Sequence, residues 1–267
     1  MLVALILVCS FGVYMLLTPP VREKAPSETA VPTVTPPPTL PPSTLSTEAF
    51  GYENGYKSYI TPSLTADFGI DVSSHQGWID WYAVADSEVD YVILRAGYRG
   101  YSDGDLHEDE YFNYNLESCE TLGMDVGIYY FSQAITPEEA KEEAKQVLKL
   151  LDGYDPVYPI FYDWEPITDA EARTDTISVS ELTACAKAFC ETIEKAGHEA
   201  GVYFNLSMAS GYYNLYDLMG YDFWLAEYAE HPTFPYSMHM WQYSDEGSVP
   251  GISTKVDMNL SFKPYEP

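Results

Sequence analysis

The stretch "YPIFYDWEP", Tyr158 to Pro166, runs apolar and aromatic and then delivers two carboxylates, Asp163 and Glu165, on either side of a tryptophan. Its length and apolar opening read as a buried strand. Side chains at i and i+2 of a strand share a face, so Asp163 and Glu165 project together while Trp164 points to the other side. Pro166 has no amide hydrogen to give a ladder and ends the strand. Two acids presented side by side at the end of a buried strand mark that end as a candidate site.

From Asp67 onward, short apolar strands alternate with helical segments. Strands are expected at 68–73, 90–97, 125–132, 158–164, 200–206, 222–228, 238–243 and 255–260, and helices at 109–122, 137–151 and 179–196. Two helix starts have capping-box spacing: Thr136 to Glu139, with Pro137 at the first helical position, and Ser178 to Glu181. Helices concentrated in the first half, with shorter connections later, predict an α/β fold, an irregular TIM-like (β/α) barrel. In such barrels the chemistry sits at the C-terminal ends of several strands. "FGIDVSSHQG" ends the first strand with Asp71, and "KVDMNLSF" puts Asp257 in the last.

The 267 residues suffice for one large α/β domain or two small ones, and 46% apolar content excludes a wholly disordered chain. Asp plus Glu outnumber Lys plus Arg by 41 to 13, a formal charge of −28. No basic stripe interrupts this acidity, so no nucleic-acid partner is expected, and other polyanions are repelled. Of the cysteines, Cys9 lies in an N-terminal apolar run, while Cys185 and Cys190 sit five apart on an expected helix and do not face each other. Together with Cys119 they read as small buried hydrophobes. The histidines show no HExxH or close pairing, and no P-loop, dinucleotide-binding or G-x-S-x-G pattern occurs. No metal and no cofactor are expected.

Residues 2–17, "LVALILVCSFGVYMLL", are uncharged throughout, slightly short for a membrane span. No basic residue precedes them and no small-x-small cleavage site stands before Pro19, so 1–18 reads as an uncleaved signal-anchor, with a cleaved signal peptide as the alternative. Arg22 and Lys24 pull against this, since the positive-inside rule would keep the following chain in the cytoplasm. Residues 19–66 read as a Pro/Thr/Ser-rich linker and extended lead-in: "TVTPPPTLPPSTLST" packs no core, and 48–66 are polar and tyrosine-rich. The barrel is expected over 67–267.

Two carboxylates held together suit glycosidic cleavage. One, protonated, hands a proton to the leaving oxygen, and the other, ionised, stabilises positive charge. Repulsion in a partly desolvated site raises one pKa and lets both states coexist near neutral pH. On spacing alone, a D-x-E pair that binds a cation, or pairs with an arginine such as Arg95, stands equally open.

Several segments, in order as well as content, resemble the glycoside hydrolase family 25 lysozymes, cell-wall muramidases of the Chalaropsis type: "GIDVSSHQG", "VDYVILRAGYRG", "GIYYFSQAIT", "YPIFYDWE", "GVYFN", "FWLAEY", "MWQYS" and "VDMN". The resemblance covers about Phe68 to Phe262. It implies a barrel with fewer helices than the regular eightfold version, of (β/α)5(β)3 type. It also implies hydrolysis, with net retention, of the β-1,4 bond between N-acetylmuramic acid and N-acetylglucosamine. Glu165 matches the family's general acid. Asp163 matches the carboxylate that orients the sugar's 2-acetamido group, whose carbonyl is then the nucleophile, and a direct nucleophilic role for Asp163 stays open. Asp71 and Asp257 match two supporting acids, and Tyr129 a tyrosine near the acetamido group. "RAGYRG", Arg95 to Gly100, departs from a common K-x-T/S-E-G pattern, with Arg95 the expected positive partner.

Trp224, Tyr228, Trp241 and Gln242 are expected along the sugar groove, although core packing accounts equally well for large aromatics. The expected partners are peptidoglycan glycan strands and, through the N-terminal apolar segment, a membrane. A monomer is expected, on the extracellular face of a bacterial membrane or secreted to the cell wall. A non-catalytic wall-binding barrel and a hydrolase of another N-acetylated glycan are the alternatives.

Overall fold

Residues 39–265 are described in the computed structural model of the chain, and in them the expected strands close into a ring. The apolar segment 1–18, Cys9 and the linker up to residue 38 lie outside the described residues. Among the described residues no helix is long and apolar enough to cross a membrane.

A hairpin of β1 (Phe50–Glu53) and β2 (Tyr56–Tyr59) comes first. The ring begins with β3 (Asp67–Val72), followed by the short helix α1 (Trp81–Ala85). Next, β4 (Tyr91–Arg99) leads through an edge strand, β5 (Leu106–Glu108), to α2 (Phe112–Leu122). Then come β6 (Asp125–Ser132) with α3 (Pro137–Leu151), β7 (Ile160–Trp164) with α4 (Val179–Lys195), and β8 (Ala200–Asn205) with α5 (Leu206–Gly211). The last strands, β9 (Asp222–Ala226), β10 (Met240–Gly247) and β11 (Val256–Ser261), follow one another with no α-helix between them. Ring neighbours from β3 round to β10 are parallel. Of the ring strands β11 alone runs antiparallel, between β10 and β3, and it closes the barrel. Five strand–helix units followed by three bare strands are what the (β/α)5(β)3 expectation describes.

Local chemistry accounts for these elements. The Ser178 side chain accepts from the Glu181 amide and Glu181 reaches back to the Ser178 amide, a complete capping box for α4. At α3 the box is half made. Thr136 accepts from the Glu139 amide at 3.3 Å, but the Glu139 carboxylate takes the Ile135 amide instead, at 2.9 Å. The hairpin turns on Asn54 and Gly55, both left-handed with φ of 50° and 93°, the pairing that two-residue hairpins require.

Inside the ring, Tyr91, Ile93, Phe161, Tyr203 and Trp224 form one cluster. Glycines across from the rings make room for them. A Cβ at Gly69 would lie 2.3 Å from the Tyr91 ring, and one at Gly201 2.3 Å from the Phe161 ring.

Outside, the bare strands need cover, and the hairpin supplies it. Phe50 meets Trp241 edge-on at 5.3 Å and Phe262 at 6.1 Å, and Tyr56 stacks on Phe68 at 4.5 Å. The hairpin of residues 50–59, within the stretch read as an extended lead-in, therefore drapes on the barrel. Trp241, expected along the groove, is fully buried under this hairpin, its indole donating to the Glu227 carbonyl at 2.8 Å. Its strand neighbours Met240 and Gln242 take the inward face, so alternation turns Trp241 outward. Cys119, Cys185 and Cys190 are free and buried, and burial pushes the Cys119 and Cys185 thiols up to about 12.

A methyl group at Gly201 has no space beside Phe161. Gly201→Ala is expected to cost about 1–3 kcal/mol of overpacking, read as a lower urea midpoint with unchanged slope. An unshifted midpoint would mean that the aromatic layer repacks freely.

Candidate active site

Asp163 is the fourth residue of β7, in register with Phe131 of β6 and Tyr203 of β8, and it is buried. Glu165 follows just past the strand and is half-buried. Trp164 between them points outward against Tyr212, at 5.2 Å between ring centres. The chain beyond the strand is held from β6. Buried Gln133 donates from Nε2 to the Glu165 carbonyl at 2.9 Å, and its Oε1 accepts from the Thr174 hydroxyl at 2.6 Å. Arg173 clamps the same loop, bonding the Gln133 carbonyl at 3.2 Å and the Glu139 carboxylate at 2.7 and 2.9 Å.

Asp71 of β3 and Asp257 of β11 lie directly opposite each other in the antiparallel register. Because β11 runs against the other strands, its early residues reach the mouth where the others present their ends. Asp71, Asp163, Glu165 and Asp257 thus share one cleft of about 170 Å³. Tyr129, Trp224, Tyr228 and Gln242 line the same cleft.

Asp71 is the anchored member. Its Oδ2 accepts from Gln242 Nε2 at 2.9 Å and from Asn259 Nδ2 at 2.8 Å. Asn259 in turn accepts from the Trp224 indole at 2.8 Å, and Gln242 Oε1 accepts from the Tyr203 and Tyr228 hydroxyls, each at 3.1 Å. Asp163 has no such support: its Oδ1 is buried and accepts no hydrogen bond from the described residues.

Crowding four acids in a desolvated mouth raises all four. Burial pushes Asp71 up to about 6 against the pull of Asn259 and Gln242. Burial, with the charges of Asp71 and Asp245, pushes Asp257 up to about 8. Glu165 is raised by burial first and Asp257 second. Asp163 is raised strongly, by burial first and then by Glu165 and Asp71, with Arg95 pulling the other way. Near neutrality Asp257, at about 8, keeps its proton while Asp71, at about 6, is mostly ionised, so that a proton donor and an ionised carboxylate stand side by side. Burial also keeps the Tyr129 and Tyr203 phenols protonated, as donors.

Arg95 does not line the cleft. Its Nε donates to Asp109 Oδ2 at 2.8 Å, its Nη2 to Ser74 Oγ at 2.9 Å, and its guanidinium lies 5.5 Å from the Tyr98 ring centre. Asp109 has captured it, so it reaches Asp163 and Tyr129 through its charge alone. This also removes the reading in which Arg95 neutralises the D-x-E pair. Among the described residues no three His, Cys, Asp or Glu side chains are arranged to hold a metal ion.

Three residues of the site escaped the sequence reading. Asn259 stands two positions after Asp257 and so shares its face. Tyr203 alternates with Gly201 on the inner face of β8. Both signals are plain strand alternation. Gln133, placed just past its strand, gives no such signal.

The family model for glycosyl hydrolases family 25 matches residues 70–252. The uncharacterized protein YegX of Escherichia coli (strain K12) is 28% identical over 208 residues, 74% of this chain and 71% of that protein. The autolytic lysozyme of Clostridium acetobutylicum is 26% identical over 192 residues, 72% of this chain and 54% of that protein. Among solved structures, the modular autolysin LytC from Streptococcus pneumoniae, in complex with a synthetic peptidoglycan ligand, superposes with a TM-score of 0.66 at 26% identity. That match covers 80% of this chain and 52% of LytC, so the chain spans about half the length of LytC and of the autolytic lysozyme.

The raised acids carry a stability signature. The folded protein keeps protons on them to a higher pH than the unfolded chain, whose aspartates titrate near 3.8. Stability therefore falls as pH climbs from about 4 to about 8. Asp257→Asn relieves the part due to Asp257. Its melting temperature is expected above wild type at pH 8 by about 2–4 °C, with the gap closing toward pH 4. A gap independent of pH would remove Asp257 from this linkage.

Proposed function

Because the chain belongs to glycosyl hydrolases family 25, we propose that it is a peptidoglycan hydrolase, a lysozyme cutting the β-1,4 bond between N-acetylmuramic acid and N-acetylglucosamine. The observation that carries this reading is the pairing of Glu165 with the donorless buried oxygen of Asp163. A buried carboxylate oxygen without a partner is costly, and a substrate N–H aimed at it relieves the cost. The 2-acetamido group of an N-acetylated sugar supplies such an N–H.

The proton then has a reason to move. In the free site burial and the neighbouring acids raise both Asp163 and Glu165. A hydrogen bond from the acetamido N–H stabilises the Asp163 carboxylate and lowers its pKa. Within a coupled cluster this leaves the shared proton on Glu165. Glu165 donates it to the glycosidic oxygen as the bond to the anomeric carbon breaks, and the acetamido carbonyl oxygen bonds that carbon from the opposite face. Asp163 stabilises the positive charge that spreads over the resulting five-membered ring. Water, deprotonated by Glu165, then opens this ring and restores the original anomeric configuration. Asp71 keeps the mouth negative while Asp257 beside it holds a proton up to about pH 8, Tyr129 offers its hydroxyl near the acetamido group, and Trp224 with Tyr228 borders the sugar. Support also comes from the autolytic lysozyme of Clostridium acetobutylicum and from LytC, whose structure holds a peptidoglycan ligand. Such a substrate places the enzyme at the bacterial wall, outside the membrane, tethered by the apolar segment 1–18 or released from it, and acting as a monomer.

The test is digestion of purified peptidoglycan by wild type and Glu165→Gln, with new reducing ends identified by mass spectrometry after borohydride reduction. Wild type should yield reduced muramic acid ends, and Glu165→Gln should lower kcat by about 10²–10⁴-fold. New ends on glucosamine would overturn the choice of bond, and no new ends from wild type would overturn the hydrolase reading itself. Removing the substrate's acetyl groups should abolish turnover with wild type. Equal turnover of acetylated and de-N-acetylated strands would move the nucleophile from the acetamido oxygen to Asp163.

A further inference from the structure

Beside the acid cleft lies a larger groove, of about 750 Å³, between the N-terminal hairpin and the mouth ends of β10 and β11. The two cavities share one wall residue, Tyr228. Tyr228 is 55% exposed, yet its hydroxyl is bonded to Gln242 at 3.1 Å, so an exposed tyrosine is tethered between them. The far wall is hairpin. Tyr52 there is 61% exposed, and its hydroxyl approaches Glu230 Oε2 at 3.4 Å.

A buried lysine fixes this wall. Lys57 Nζ donates to the Glu230 carbonyl at 3.0 Å and to its Oε2 at 3.2 Å, and lies 4.8 Å from the Tyr52 ring centre. Hairpin and β9–β10 loop are thereby clamped into one surface. The clamp also consumes the groove's cation, since Lys57 is the only Lys or Arg of the lining among the described residues. What remains open is aromatic faces, the hydroxyls of Ser244 and Ser248, and one carboxylate. An anionic ligand finds no free positive charge there. An uncharged pyranose fits: its apolar C–H face lies on a tyrosine ring, and its hydroxyls reach serine and carboxylate oxygens.

The hairpin ends at Tyr59, before residue 70, where the match to the family begins. The hairpin wall of this groove, Tyr52, Gly55, Tyr56 and Lys57, is therefore built from sequence that precedes the shared region. Resting on the hydrolase reading above, we propose that the hairpin groove binds further sugar residues of the strand being cut. It does so by stacking an N-acetylglucosamine residue, the uncharged sugar of the repeat, between Tyr52 and Tyr228, and it makes the enzyme prefer long glycans over short ones.

The experiment compares the full chain as wild type, Tyr52→Ala and Ser248→Trp on a tetrasaccharide and on long glycan strands of the same repeat. Tyr52 is exposed, so its truncation leaves the core intact, and Ser248→Trp fills the groove from the opposite side. Both variants should raise KM on long strands by about five- to tenfold, with kcat unchanged and with no effect on the tetrasaccharide. No change on either substrate, or an equal loss on both, would overturn the proposal. Should wild type cut neither substrate, the hydrolase reading fails, and the groove is then judged by binding alone. Titration with an uncharged N-acetylglucosamine hexamer would retain the groove if Tyr52→Ala weakens binding, and overturn it if binding is equal or absent.

Discussion

Asp71 is a carboxylate almost cut off from solvent, and the mouth of the barrel is arranged around holding it. Its two amide donors are themselves oriented. The Trp224 indole occupies the Asn259 oxygen, and the Tyr203 and Tyr228 hydroxyls occupy the Gln242 oxygen, so both amides must turn their NH2 groups toward Asp71. This chain of donors touches β8, β9, β10, β11 and β3, five of the eight ring strands. Its electrostatic effect is legible in the comparison with Asp257. Asp71 is the more deeply buried of the two, yet it reaches only about 6 where Asp257 reaches about 8. Donors keep Asp71 charged, and that charge helps keep protons on its neighbours.

The second constraint comes from the three bare strands. An apolar outer face without a helix must be covered or left to associate. Here a hairpin performs the task, with Phe50 and Tyr59 laid over Trp241 and Phe262. The cover reaches as far as the mouth, so a solution to a packing problem also shapes the surface beside the acids. Cover and groove wall are opposite sides of one hairpin.

The ring was legible because its strands are short apolar runs between polar turns, and because α3 and α4 carry capping-box spacing at their starts. β6 and α3 lie where the sequence places them, residue for residue. The paired acids were legible for the same reason, since i and i+2 positions cannot help but share a face. Trp241 and Gln242 were both expected in the groove, although adjacent strand residues cannot both face inward. Periodicity contained the answer there. Arg95 is different: it does face the mouth, and only the fold reveals that Asp109, fourteen positions on, takes its guanidinium. The hairpin was signalled by Asn54–Gly55, inside a stretch whose polar, tyrosine-rich composition reads only as an extended lead-in. α1 spans five residues, too few for any helical period to show.

The antiparallel seam also governs how the barrel comes into being. During synthesis the chain emerges from its N-terminus, so β3 must wait for β11, whose partners lie nearly two hundred positions away, before either edge is satisfied. Until residues 256–261 appear, the nascent sheet is an open ribbon with unpaired backbone at β3 and β10, and Asp71 lacks Asn259. Contacts this distant in sequence make closure slow and late. The acid that organises the finished mouth is thus the last to receive its partners, and until β11 arrives Asp71 stands on an open sheet edge without its Asn259 donor.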